Sequence, residues 1–221
     1  MPIIFIAFVV FTKITEGPAF GPYVVSVSED GTIENLSVIF YLITFIFSLI
    51  IAKIFFNNGK KTFGFLYLAM AIVFIFIAIE EISWAQRILN IPTTGFFSES
   101  TQNEINIHDL EQLAIFEDPS FIIAGFVGGL LWIVFPKSKS TNVYSFRRFF
   151  VPGWYLMSYF IPVSIFYLIL NLTPADQISI GLYWNFFIQK DQEIFEFLLS
   201  LGFMGFILIN FIRQIKISRK K

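Results

Sequence analysis

The chain has no cysteine and a single histidine among its 221 residues. Without thiols it can form no disulfide, no thiolate nucleophile and no Cys-ligated zinc site. One histidine also excludes a three-histidine metal centre. Charge is scarce as well: Asp, Glu, Lys and Arg make up 14% of the residues, with a formal net charge of −1. That balance offers no basic surface for nucleic acid, and a soluble domain of this length needs far more polar surface. What is abundant is apolar: 56% of the residues are hydrophobic, 31 of them Phe, and mean hydropathy is +0.74. The composition is that of a polytopic membrane protein. The length suits one integral-membrane domain over residues 1–221, an all-α helical bundle.

A spanning helix takes roughly 20 apolar residues. Residues 35–56, 63–83, 119–135, 151–171 and 193–212 meet or approach that length. The opening stretch from Pro2 to Phe11 is shorter and lacks the basic flank of a secretory signal. Read as a first helix, it brings the expected total to about six spans. Basic residues cluster in alternate connections: Lys53, Lys60 and Lys61, then Lys137, Lys139, Arg147 and Arg148, then Arg213, Lys216, Arg219, Lys220 and Lys221. The acidic residues fall in the other connections or in the helical turns bordering them. The positive-inside rule then puts both termini in the cytoplasm of a cell (plasma or inner) membrane, with 13–34, 84–118 and 172–192 facing outward.

Local signals support these boundaries. Thr32 is a plausible N-cap for the second span, and Asp118-Pro119 supplies a cap and a first-turn proline for the fourth. Asp109 to Gln112 reads as a capping box opening a short amphipathic helix, Leu110 to Phe116, on the outer surface. Gly125 and Gly129 form a G-x-x-x-G pair that predicts close packing of the fourth span on a neighbour. Pro162 is expected to kink the fifth. Residues 177–189 are too apolar for free solvation and are expected to lie in the interface or dip into the bundle.

Several carboxylates and the imidazole gather at one predicted depth. The third span ends Glu80-Glu81-Ile82-Ser83-Trp84-Ala85-Gln86-Arg87. Both glutamates fall about one turn inside the outer boundary, where an ionised group is costly, roughly 2.5–3.5 kcal/mol at mid-membrane and less towards the edge. At helical spacing Glu80, Ser83, Trp84 and Arg87 share a face, and Glu81 points about 100° away. In the long outer connection, Glu104, Asn106 and His108 alternate with Ile105 and Ile107, which places the polar set on one side of an extended segment. Asp109 follows. Glu193 and Glu196 enter the sixth span on one stripe with Ser200. The plain alternatives are an Arg87 ion pair for the glutamates, a capping role for His108, and helix-dipole acids at Glu193.

The run Glu80-Glu81-Ile82-Ser83-Trp84-x-Gln86-Arg87, followed by Asn106-Ile107-His108-x-Leu110, resembles a signature of prokaryotic polytopic membrane proteins of unknown function. Ala85 stands where that signature more often has Gly, and Asp109 where it has Asn. The resemblance covers residues 80–110 and implies no reaction. The spacing Glu80-Glu81-x-x-x-x-x-Arg87 departs from the E-E-x-x-x-R of CPBP-type intramembrane proteases, and no D-D-x-x-D of prenyl-transferases is present.

The expectation is an outward-facing pocket. Glu80, Glu81 and His108 are its candidate catalytic groups, and Arg87 holds an anion. Glu81, Glu104, His108, Asp109, Glu193 and Glu196 are candidate metal ligands. Oxygen-rich sites with one His suit Mg²⁺, Mn²⁺ or Ca²⁺. At headgroup depth the natural substrate of a hydrolase or transferase is a lipid or lipid-linked headgroup. Two other readings stand beside it: an accessory subunit docked on a membrane-protein partner, with the polar cluster as internal glue, and a proton- or cation-coupled transporter using the same acids.

Overall fold

The computed structural model describes residues 31–86, 116–135, 143–172 and 192–219, with Pro2, Ile6, Ala7, Val9, Phe11 and Val27. The regular elements among them are all helical: α1 (Thr32–Asn57), α2 (Lys61–Glu81), α3 (Glu117–Val134), α4 (Phe146–Phe150), α5 (Met157–Leu172) and α6 (Gln192–Ser218), with 3₁₀ turns at Ser83–Ala85 and Trp154–Leu156. Among the described residues four stretches are long and apolar enough to cross a membrane: α1, α2, the run Phe146–Leu172, and α6. The apolar part of α3 is shorter. These helices are apolar on nearly every face, and large side chains such as Phe65, Ile72, Ile123 and Trp154 point outward. A lipid environment accepts such a surface, and it accepts a helix because every backbone group is satisfied within the segment.

The helices neighbour one another in the order α2, α1, α6, α5, α3. The α1–α2 hairpin turns on Asn58-Gly59-Lys60. Gly59 has φ +71°, and the Lys60 and Gly59 amides donate to the Phe55 and Phe56 carbonyls at 2.9 and 3.0 Å. That Schellman pairing satisfies the last carbonyls of α1 where only glycine is unstrained. The α3–α5 contact is as close as Gly125 and Gly129 predict. A Cβ on Gly125 would come within 2.2 Å of Ser164 Oγ and 2.6 Å of the Phe160 carbonyl oxygen. Ser164 uses the approach to donate to the Ile122 carbonyl at 2.7 Å.

The two ends of the bundle differ in charge. Glu34, Glu81, Asp118, Glu193 and Glu196 lie at one end of their helices, and Lys53, Lys60, Arg148, Arg213 and Lys216 at the other. At the basic end the chain breaks at Val151-Pro152-Gly153, leaving the carbonyls of α4 without intrahelical donors. Tyr67 Oη and Asn210 Nδ2 both donate to the Phe149 carbonyl, at 2.7 and 2.9 Å. Arg213 donates to the Arg148 carbonyl and, at 2.9 Å, to Asn210 Oδ1. Phe55, Phe63, Tyr144 and Phe149 pack around this knot.

Two expected caps move. Thr32 is the first residue of α1, and Gly31 is its N-cap, whose carbonyl accepts from Asn35 Nδ2 at 2.9 Å. Asp118 lies inside the first turn of α3 behind an N-cap at Phe116, and its carboxyl is engaged by the Asn171 side chain. Pro162 sits within α5, ahead of which the span is already interrupted at 151–153. Most of Pro2 to Phe11, the short helix expected before Phe116, and residues 177–189 lie outside the described residues.

Candidate carboxylate site

Glu81 is the last residue of α2, and Glu193 and Glu196 occupy the first turns of α6. α1 packs on both α2 and α6, and the three glutamates meet at the acidic end of these helices. One carboxylate oxygen from each lies within 4.8 Å of the other two, and all three side chains are partly buried. Glu193 and Glu196 sit where the positive end of the α6 dipole stabilises anions, whereas Glu81 sits at the negative end of α2.

Two tyrosines that sequence patterning did not single out complete the site. Tyr167, fully buried on α5, donates to Glu196 Oε1 at 2.6 Å. Its ring is stacked against Phe121 at 4.4 Å and edge-on to Phe166, which fixes the direction of the hydroxyl. Tyr41, buried on α1, lies within electrostatic reach of Glu81 and Glu196. A tyrosine in mid-span amid aliphatic residues was the available signal. Buried hydroxyls in such a setting need polar partners.

Glu80 takes a different part. It is buried, and its Oε1 accepts from Trp84 Nε1. The shared face predicted for positions 80 and 84 is therefore realised, but not by continued α-helix. Ser83 and Trp84 both have positive φ, 48° and 53°. Side-chain-bearing residues in that region cost roughly 1–3 kcal/mol each. The turn ends α2 at Glu81 and folds the Trp84 indole back over Glu80, against the Phe76 ring. Glu80 is thus not part of the trio. Arg87, Glu104, His108 and Asp109, expected in the same pocket, lie outside the described residues.

The trio has the dimensions of a hard-cation site. Ligand oxygens at 2.0–2.6 Å from Mg²⁺ or Ca²⁺ are roughly 3–5 Å from one another, and the oxygens of the trio lie within 4.8 Å of one another. The chain finds no match among family models, curated proteins or solved structures.

Proposed function

We propose that this protein is a multi-pass membrane protein that holds a divalent cation between α2 and α6 and acts as a hydrolase or transferase on a lipid or lipid-linked headgroup. The observation that carries the reading is the convergence of Glu81, Glu193 and Glu196 from two helices to within 4.8 Å. Tyr167 orients Glu196 by a bond that a merely repulsive cluster would not need. The trio lies at the ends of helices long enough to span a bilayer, hence near headgroup level. A divalent ion held there would supply a Lewis acid and an activated water at neutral pH. In the same proposal the acidic end faces outward, about six spans cross the plasma or inner membrane, and both termini are cytoplasmic. Glu104, His108 and Asp109 are further ligands or proton carriers, and Arg87 holds the anionic group of the substrate.

The test is the metal content of purified protein beside Glu81→Gln and Glu196→Gln. The proposal expects a stoichiometric divalent metal in the wild type, lost in both variants with the helical signal retained. A metal-free wild type that gains no thermal stability from Mg²⁺, Mn²⁺ or Ca²⁺ would make the cluster internal glue, as in an accessory subunit.

A further inference from the structure

α1 carries an unusual polar seam. Glu34, Ser37, Tyr41, Thr44 and Ser48 recur at spacings of three and four residues, and all five are buried. That spacing keeps them on one face of the helix, the face turned into the bundle beside α2 and α6. Small hydroxyl residues are common where membrane helices pack, so the informative members of the seam are those whose polar atoms find no partner.

Ser37 and Thr44 are satisfied locally, donating to the Ile33 and Phe40 carbonyls at 3.2 and 2.6 Å. Ser48 is not: its Oγ is fully buried and has no hydrogen-bond partner. Gln214 on α6 is also fully buried, and both its Oε1 and its Nε2 lack partners. Orphaned polar groups in a bilayer-spanning bundle are strongly unfavourable, and ordered water is their usual partner.

The two orphans lie at nearly the same level. The Phe47 ring meets the Phe211 ring at 4.8 Å, which sets the α1 turn carrying Ser48 level with the α6 turn carrying Asn210 and Gln214. Towards the other end, the Phe40 and Phe197 rings meet at 5.5 Å, so Tyr41 stands at the level of the carboxylates. Between these levels α6 offers little polarity, and Thr44 and Ser48 of α1 fill the interval. Successive seam positions rise by about 4.5–6 Å, a step that one water molecule bridges.

We propose that the α1–α6 interface holds a file of internal water and conducts protons between the carboxylate trio and the basic end of the bundle. The titratable and charged groups facing it are Glu34 and Tyr41 from α1, Glu81 from α2, Tyr167 from α5, and Glu193 and Glu196 from α6. At the basic end they are Tyr67 from α2 and Arg213 from α6. The water carries the proton by exchanging its own hydrogen bonds, and the hydroxyls and amides between the ends hold it in place as acceptors and donors. The inference uses the trio as a proton terminus and does not depend on its binding a metal.

The test is proton flux into proteoliposomes of the full chain. A potassium diffusion potential set by valinomycin drives it, internal pyranine reports it, and a chelator is present throughout so that failure of the metal reading leaves the result unaffected. Wild type is expected to acidify the lumen faster than protein-free vesicles. Thr44→Val and Ser48→Val, which remove the hydroxyls and fill their space, are expected to fall to the protein-free rate while melting cooperatively. Gln214→Leu serves as a third block on a different helix should either α1 variant misfold. Wild-type flux equal to that of protein-free vesicles, or folded variants that conduct as well as wild type, would overturn the proposal.

Discussion

Glu81→Gln should change stability with opposite sign in the presence and absence of a divalent cation. Two unit charges 4.8 Å apart repel by roughly 1 kcal/mol at the dielectric constant of water and roughly 3.5 kcal/mol at an effective value of 20. The substitution removes Glu81's repulsion with both Glu193 and Glu196. It also removes an anion from the C-terminal end of α2, an unfavourable placement of about 0.3–1 kcal/mol. The carboxylates also make other interactions that the substitution weakens, so the net gain in chelator is about 1–3 kcal/mol. For a chain of this size that corresponds to roughly 2–12 °C in Tm. With a cation present the sign reverses. A site saturated to a hundred times its Kd stabilises the wild type by about 2.7 kcal/mol, and a variant lacking one ligand forfeits most of it. The assay is thermal unfolding of purified protein in EDTA and in a Mg²⁺, Mn²⁺ or Ca²⁺ series, followed by circular dichroism. Curves for wild type and variant should cross. A variant that melts below wild type in both conditions would refute the reasoning, because the carboxylates would then be partners in a structural network.

Other substitutions probe the supports of the site and the fold. Tyr167→Phe removes the hydroxyl that orients Glu196; metal titration should show weaker binding, with the stability of the metal-free protein lowered by only about 0.5–1.5 kcal/mol. Gly125→Leu should separate α3 from α5, since even a Cβ there meets backbone; overpacking of this kind costs about 1–3 kcal/mol or more, and a melting curve unchanged from wild type would mean that the contact does not contribute to folding. Gly59→Ala, at φ +71° with open space around it, should cost about 1 kcal/mol through backbone strain alone, read as a small drop in Tm with the helical signal unchanged. Asn210→Leu should cost more than Tyr67→Phe, because Asn210 both donates to the Phe149 carbonyl and accepts from Arg213; equal melting temperatures for the two would argue against the knot.

The helices themselves were readable from hydropathy. The apolar stretches at 35–56, 63–83, 119–135, 151–171 and 193–212 correspond to α1, α2, α3, the α4–α5 run and α6. A long apolar segment in lipid has no alternative to helix, so local composition settles its conformation. The separation of acidic from basic helix ends was equally legible, since it depends only on which connection a residue occupies. Small residues at 125 and 129 announced a close contact, though not that α5 would receive it. Cap positions were less legible. A cap depends on one residue's backbone angles, and the Asp118 carboxyl engages Asn171 of a neighbouring helix.

The primary structure by itself determined that Glu80 and Glu81 diverge, because successive helical residues turn about 100°. It placed both at the same end of the bundle as Glu193 and Glu196. Only the tertiary structure decided that Glu81 meets Glu193 and Glu196 while Glu80 turns back to Trp84. It also brought Tyr41 and Tyr167 to the carboxylates, and set Phe47 of α1 against Phe211 of α6. The reason is rotational. Hydropathy fixes how deep a residue sits, but which way it faces is set by the packing of apolar neighbours on adjoining helices, and helices apolar on every side carry almost no record of that choice in their own order of residues.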